Sequence, residues 1–215
     1  TGTFIAFEGG EGSGKSTQSQ LLKVALEERG QEVLLTREPG GTNLGKVLRG
    51  ILLDPETGSL APRAEALLYA ADRAHHVETV IKPALAKQTV VITDRYLDSS
   101  VAYQGAGRVL QPSEVARISR WATENLAPTL TVVMDIPAEL GLSRLRSLDR
   151  LEAEPLAFHE RIRQEFLNIA GSDPERYFVV DATQDKASIH EQIIERVLSL
   201  PQLKESSLEK KRFRK

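Results

Sequence analysis

Five short runs of nearly unbroken apolar and β-branched residues punctuate the chain: Thr3–Glu8, Glu32–Thr36, Thr89–Thr93, Leu130–Ile136 and Tyr177–Asp181. Runs that are apolar throughout, rather than alternating, predict strands buried on both faces, as in a parallel sheet. Between them the spacing turns helical. Leu21, Leu22, Ala25 and Leu26 share one face of a helix over Gln18–Arg29 that stops near Gly30. Leu44, Val47, Leu48, Ile51 and Leu52 mark a second helix. Glu65 to Ala86 forms a long third, with Pro83 expected to disturb it. Ser113 is placed as the N-cap of a fourth that runs to Asn125, and Ile189, Ile193, Val197 and Leu198 line the last. Strands alternating with helices predict right-handed βαβ units: an α/β, doubly wound sheet of about five parallel strands with helices on both faces. Ligands in such folds bind beyond the carboxyl ends of the strands, so the residues that follow each strand carry the chemistry.

Composition narrows this little. The 215 residues fit one domain, 1–200, followed by a tail, 201–215, in which Lys204 to Lys215 carry six basic residues. That tail is expected to be solvated. A net charge of −2 gives no reason to expect a nucleic-acid partner for the body of the protein. Cysteine is absent, which excludes disulfides, thiolate metal sites and a cysteine nucleophile, and fits a reducing, cytoplasmic setting. No apolar run approaches the ~20 residues of a membrane span, and no targeting segment precedes the first strand, so no membrane partner is expected.

The first strand end is the most specific. Gly9-Gly10-Glu11-Gly12-Ser13-Gly14-Lys15-Ser16-Thr17 fits glycine, any four residues, then Gly-Lys-Ser/Thr, between a strand and a helix. Such a loop turns successive N–H groups towards one anion, and the following helix adds its positive dipole end. The pattern puts Lys15 on the β- and γ-phosphates of a nucleotide and the Ser16 hydroxyl on Mg²⁺. It makes the sheet a P-loop NTPase type. A glycine-rich turn that merely caps a helix is the plainer alternative.

The second strand runs into Arg37-Glu38-Pro39-Gly40-Gly41-Thr42, a turn whose Arg37 could clamp a phosphate. The third runs into Asp94-Arg95-Tyr96, and an aspartate there is well placed to hold hydrated Mg²⁺. A helix cap or an ion pair with Arg95 is its structural alternative. His75 and His76 project about 100° apart on a helix and make a poor chelating pair. Trp121 is expected in the core or at an interface.

Asp94-Arg95-Tyr96-x-x-Ser99-x-x-Ala102-Tyr103-Gln104 resembles a motif of the thymidylate kinases, and three further blocks follow suit: Arg37 to Thr42, Leu67-Leu68-Tyr69-Ala70-Ala71-Asp72-Arg73-Ala74-His75-His76, and Gly141-Leu142-Ser143-Arg144-x-Arg146 with Asp149-Arg150-x-Glu152. They occur in family order over most of the chain. The resemblance implies transfer of the γ-phosphoryl of ATP to dTMP, giving ADP and dTDP for dTTP synthesis. It implies that Gly9 to Thr17 and Arg144 bind ATP, and that Arg95 bridges the donor and acceptor phosphates. It implies a dTMP site formed by Glu11, Arg37, Tyr69, Arg73, Arg95, Ser100, Tyr103 and Gln104. In that site Tyr69 stacks on thymine, Arg73 donates to a thymine carbonyl, Tyr103 lies under the deoxyribose and Gln104 touches the base. Mg²⁺ would accompany ATP, held by Ser16 and Asp94, partly through water. A short helical lid over about 141–155 is implied, as is a homodimer packed through helices. With no arginine in the phosphate loop, the chain resembles the bacterial subtype that carries its arginines in the lid, leaving Arg146 and then Arg144 as candidates for the transferring phosphoryl.

Phosphoryl transfer needs alignment and positive charge more than a general base. Two other readings remain: a kinase for another nucleoside monophosphate, and a non-catalytic nucleotide-binding module. A regulatory GTPase would need Asn-Lys-x-Asp and Asp-x-x-Gly, and the chain has neither.

Overall fold

The computed structural model describes residues 2–108 and 110–203. Five strands, β1 (Phe4–Glu8), β2 (Val33–Arg37), β3 (Val90–Asp94), β4 (Leu130–Asp135) and β5 (Tyr177–Asp181), form one all-parallel sheet in the order β2-β3-β1-β4-β5. The helices are α1 (Lys15–Glu27), α2 (Asn43–Leu53), α3 (Pro62–His76), α4 (Lys82–Ala86), α5 (Leu97–Ser100), α6 (Pro112–Ala122), α7 (Ala138–Ser143), α8 (Leu156–Ser172) and α9 (Lys186–Leu198). The five strands predicted from continuous apolar runs are those observed, within one residue at each end.

The pleat of the central strand sorts the core. Ile5 and Phe7 face α1 and α9, packing with Leu22, Leu26, Ile92, Val132, Ile193 and Val197. Phe4 and Ala6 face the opposite layer of Val77, Ile81, Leu85, Val91 and Tyr96. Leu200 and Leu203 are buried in the first of these clusters, so the body of the fold continues past residue 200. The basic stretch from Lys204 lies outside the described residues.

Two elements differ from those expectations, and the disturbance expected at Pro83 is seen just upstream of it. The fourth helix starts at Pro112, with Gln111 as its cap; Ser113 lies inside the helix and caps nothing. Proline is suited to the first helical position, where its fixed φ fits and no N–H is missed. Upstream of Pro83 the long third helix widens into a π-helical turn, Val77–Ile81, before α4 resumes it. And α8 is absent from the elements predicted above, although Phe158, Ile162, Phe166 and Ala170 recur every four residues along its buried face. It packs on the segment after α5, Val101–Gly107, which is itself π-helical. Trp121 is not in the core: it is 80 % exposed on α6.

Candidate active site

The carboxyl ends of β1, β2 and β3 open on a cleft of about 480 Å³. At one end lies the phosphate loop. Gly14 occupies the left-handed region and leads into α1, which no side chain caps and whose first turn holds no acidic residue. The first-turn N–H groups of a helix lack intrahelical acceptors, so this end is left open to an anion. Gly12, at φ 64°, rests against Gly141 of α7, and a Cβ on it would collide with the Gly141 carbonyl. The root of the segment over 141–155 is thus in backbone contact with the phosphate loop.

Lys15 is buried and donates to the Gly10 carbonyl at 2.7 Å and to Ser13 Oγ at 3.2 Å. Burial, then the nearby Arg95 charge, lowers its pKa to about 8, against partial compensation from Glu11, Asp94 and Glu8. The Ser16 hydroxyl donates to the Asp94 carboxylate. Two hard oxygen donors side by side at a phosphate loop suit Mg²⁺, which takes one or two protein oxygens and completes its shell with water and phosphate.

Arg95 stands between the two ends of the cleft, in a left-handed conformation (φ 71°) that a non-glycine residue adopts only when its surroundings enforce it. Its guanidinium donates to Gly9 O at 3.1 Å, Ser99 Oγ at 3.2 Å, Glu11 Oε1 at 2.7 Å and Tyr103 Oη at 3.1 Å. Glu8 fixes the turn from below, accepting from the N–H of Tyr96 and Ser99 and from the Ser99 hydroxyl. Burial and the neighbouring Asp98 push the Glu8 carboxyl up from the ordinary carboxylate range. Glu11 goes the other way. Burial alone would raise it, but Arg95 and Lys15 outweigh burial and bring it to about 2.

The far end is aromatic and deeply set. Tyr69, Arg73, Tyr103 and Gln104 line it together with Glu38, Pro39, Arg49 and Leu53. Arg73 is fully buried. Its Nε meets Glu38 at 2.7 Å, Nη1 donates to Ser100 at 3.1 Å and Ser119 at 3.3 Å, and Nη2 donates to the Tyr96 carbonyl at 3.0 Å. Of the five guanidinium N–H bonds, one on Nη2 is left for a ligand. The Tyr103 ring lies beneath the Arg95 guanidinium, 4.9 Å from its centroid, and meets Phe158 and Phe166 of α8 edge-on. The Tyr103 hydroxyl donates to Glu11.

Most residues singled out from sequence converge here: Glu11 to Thr17, Arg37, Tyr69, Arg73, Asp94, Arg95, Tyr103, Gln104 and Arg144 all line the cleft. Ser100 does not; it lies behind, bonded to Arg73, while Ser99 faces in. Arg144 reaches the Gly12 carbonyl at 3.2 Å. Arg146 is exposed, off the lining, and without a hydrogen bond or ion pair among the described residues. His75 and His76 diverge as expected: His75 is exposed, while His76 is buried and bonded to Glu38 and Thr36. Sequence reasoning gave no role to Glu8, Glu38, Arg49 or Glu65, although Glu38 lies within the Arg37 to Thr42 block. Glu8, Glu38 and Glu65 are joined to the site through partners distant in sequence.

Comparison with known proteins identifies the family and the fold. Residues 7–193 match the thymidylate kinase family. A thymidylate kinase of Clavibacter sepedonicus is 60 % identical over 186 residues, covering 85 % of this chain and 88 % of that protein. One from Cutibacterium acnes is 47 % identical over 199 residues, covering 93 % and 98 %. The crystal structure of thymidylate kinase from Ehrlichia chaffeensis superposes with a TM-score of 0.76 at 32 % identity, covering 92 % of this chain and 99 % of that one.

Proposed function

The chain belongs to the thymidylate kinase family, and from that premise we propose how its cleft moves the γ-phosphoryl of ATP onto dTMP. One observation carries the reading: a single cleft joins the phosphate loop to the pocket of Tyr69, Arg73 and Gln104, with Arg95 at the junction. ATP phosphates lie along residues 9 to 17, with Lys15 and Arg144 against them. The dTMP base lies against Tyr69 and under the free Arg73 N–H, the sugar over Tyr103, and the phosphate between Arg37 and Arg95.

A phosphate oxygen of dTMP, already ionised at neutral pH, bonds to the γ-phosphorus as the bond to the β,γ-bridging oxygen breaks, and ADP leaves. No general base is needed. What the reaction requires is neutralisation of two anions brought together, which Lys15, Arg95 and Arg144 supply. Mg²⁺ with ATP would be held by Ser16 and Asp94, partly through water, and adds charge neutralisation there. Glu11 holds Arg95 in place; phosphate binding exchanges that carboxylate for phosphate oxygens. The segment over 141–155 acts as the lid of a single domain, and the basic residues from 204 form its tail.

A homodimer is supported by apolar side chains left exposed on three helices: Val47 (62 %) with Leu44 and Ile51 on α2, Leu67 (57 %) on α3, and Trp121 on α6. α3 packs against both α2 and α6, so the three helices are neighbours. Absence of cysteine and use of ATP support a cytoplasmic setting.

The test is ADP release with MgATP and a panel of acceptors. Turnover of dTMP is expected to exceed that of dUMP, dCMP, AMP and GMP by at least about tenfold in kcat/KM, a discrimination that polar base contacts readily supply. Equal rates across the panel would refute the assignment.

A further inference from the structure

Glu65 is a fully buried carboxylate on α3 that lies outside the cleft, one shell behind Gln104. Four donors converge on it. Gln104 Nε2 donates to Oε1 at 3.2 Å, Arg108 donates from Nε to Oε1 and from Nη2 to Oε2, both at 3.3 Å, and Arg150 Nη2 donates to Oε2. A carboxylate offers about four lone-pair sites, so Glu65 is saturated. Burial would raise its pKa, but the hydrogen bonds from Arg108 and Arg150 prevail and lower it. Glu65 therefore stays an anion and accepts only.

That fixes the amide behind which it sits. The two ends of a glutamine amide are nearly the same size, so only its partners decide which way it faces. With an anion behind it, Gln104 must turn its NH2 inward, and its Oε1 is the atom left for the cleft. Gln104 Oε1 accepts no protein hydrogen bond among the described residues. Arg73, with its one unused N–H, lines the same cleft. A donor together with an acceptor matches the O4 and N3–H edge shared by thymine and uracil. Cytosine presents the opposite pair, an amino donor and a bare N3.

We propose that Glu65, held between Arg108 and Arg150, is a positioning residue for base choice: it locks the Gln104 amide so that Oε1 takes the N3–H of the pyrimidine and cytosine is refused. The inference rests on the reading above that Gln104 meets the base. It also ties base choice to the lid, because Arg150 belongs to the segment over 141–155 and is further anchored by Nε to the Leu52 carbonyl at 2.7 Å.

The test measures dTMP and dCMP affinities calorimetrically on the full chain for wild type, Gln104→Leu, Glu65→Gln and the double variant. Glu65→Gln keeps the shape but can donate as well as accept, so the Gln104 amide is free to turn. Its preference for dTMP over dCMP is expected to drop by about tenfold, as for the loss of one oriented hydrogen bond. In the Gln104→Leu background the same change should leave the preference where Gln104→Leu alone put it, which a merely structural role would not produce. If Gln104→Leu leaves both affinities unchanged, the placement of the base fails, and this inference with it. If Gln104→Leu lowers the preference but folded Glu65→Gln does not, or if Glu65→Gln lowers it equally in both backgrounds, the positioning role alone is overturned. Should Glu65→Gln fail to fold, side-chain NMR of the wild type decides. The Gln104 amide pair, identified by its loss in Gln104→Leu, should keep one slowly exchanging proton with and without dTMP. A freely exchanging, averaged pair overturns the proposal.

Discussion

Lys15 gives the most quantitative expectation. Its pKa is about 8, because burial and Arg95 disfavour its charge. A bound triphosphate surrounds the ammonium with anionic oxygens and restores it to at least the ordinary lysine value of about 10.4. Binding therefore favours the protonated form, takes up a proton and weakens as pH rises. At pH 7 about a tenth of the empty sites have lost the proton and at pH 9 about nine-tenths, so ATP affinity should fall about tenfold, or ~1.4 kcal/mol, across that interval. Isothermal calorimetry of MgATP binding in buffers of differing ionisation enthalpy reads both quantities. Proton uptake should climb to about half a proton per site at pH 8 and approach one at pH 9. Since the Glu8 carboxyl is raised as well, Lys15→Arg is the control. Arginine keeps its charge throughout, so the variant's affinity should be nearly flat with pH. A flat wild-type profile, or an unchanged slope in Lys15→Arg, would refute the reasoning.

Two further expectations concern the lid and the assembly. Arg144→Ala should lose about 10³-fold in kcat, as arginines on a transferring phosphoryl do, while Arg146→Ala stays within about tenfold of wild type; stopped-flow or coupled turnover decides, and the reverse order would move the role to Arg146. In sedimentation equilibrium the protein should run at twice its chain mass of 23.7 kDa, and Val47→Glu with Trp121→Glu should halve that; a monomeric wild type would refute the apolar-face argument.

The strands were legible because a parallel sheet buries both faces and leaves continuous apolar runs such as Phe4-Ile5-Ala6-Phe7. The phosphate loop was legible because its chemistry is consecutive in sequence. Other elements were hidden for physical reasons. The buried positions of α8 alternate with Arg161, Arg163, Gln164 and Glu165, so its apolar stripe is diluted, yet its Phe158 and Phe166 support Tyr103. Glu65 looks like an ordinary surface charge in sequence, and nothing local gives Glu8 or Glu38 its partners. Only folding reveals that each is buried and spoken for by donors from other elements. Trp121 was expected in the core or at an interface, and its exposure on α6 removes the first of these.

The contact between Gly12 and Gly141 has a mechanical consequence for the lid. With no side chain possible on either glycine, the segment that carries Arg144 and Arg150 is held at its base against the phosphate loop. The outer end is moored elsewhere, by Arg150 to Leu52 and Glu65 beside the base pocket. The segment is thus tied at two places, one against the phosphate loop and one to Glu65 behind Gln104, so neither can shift without loading the other.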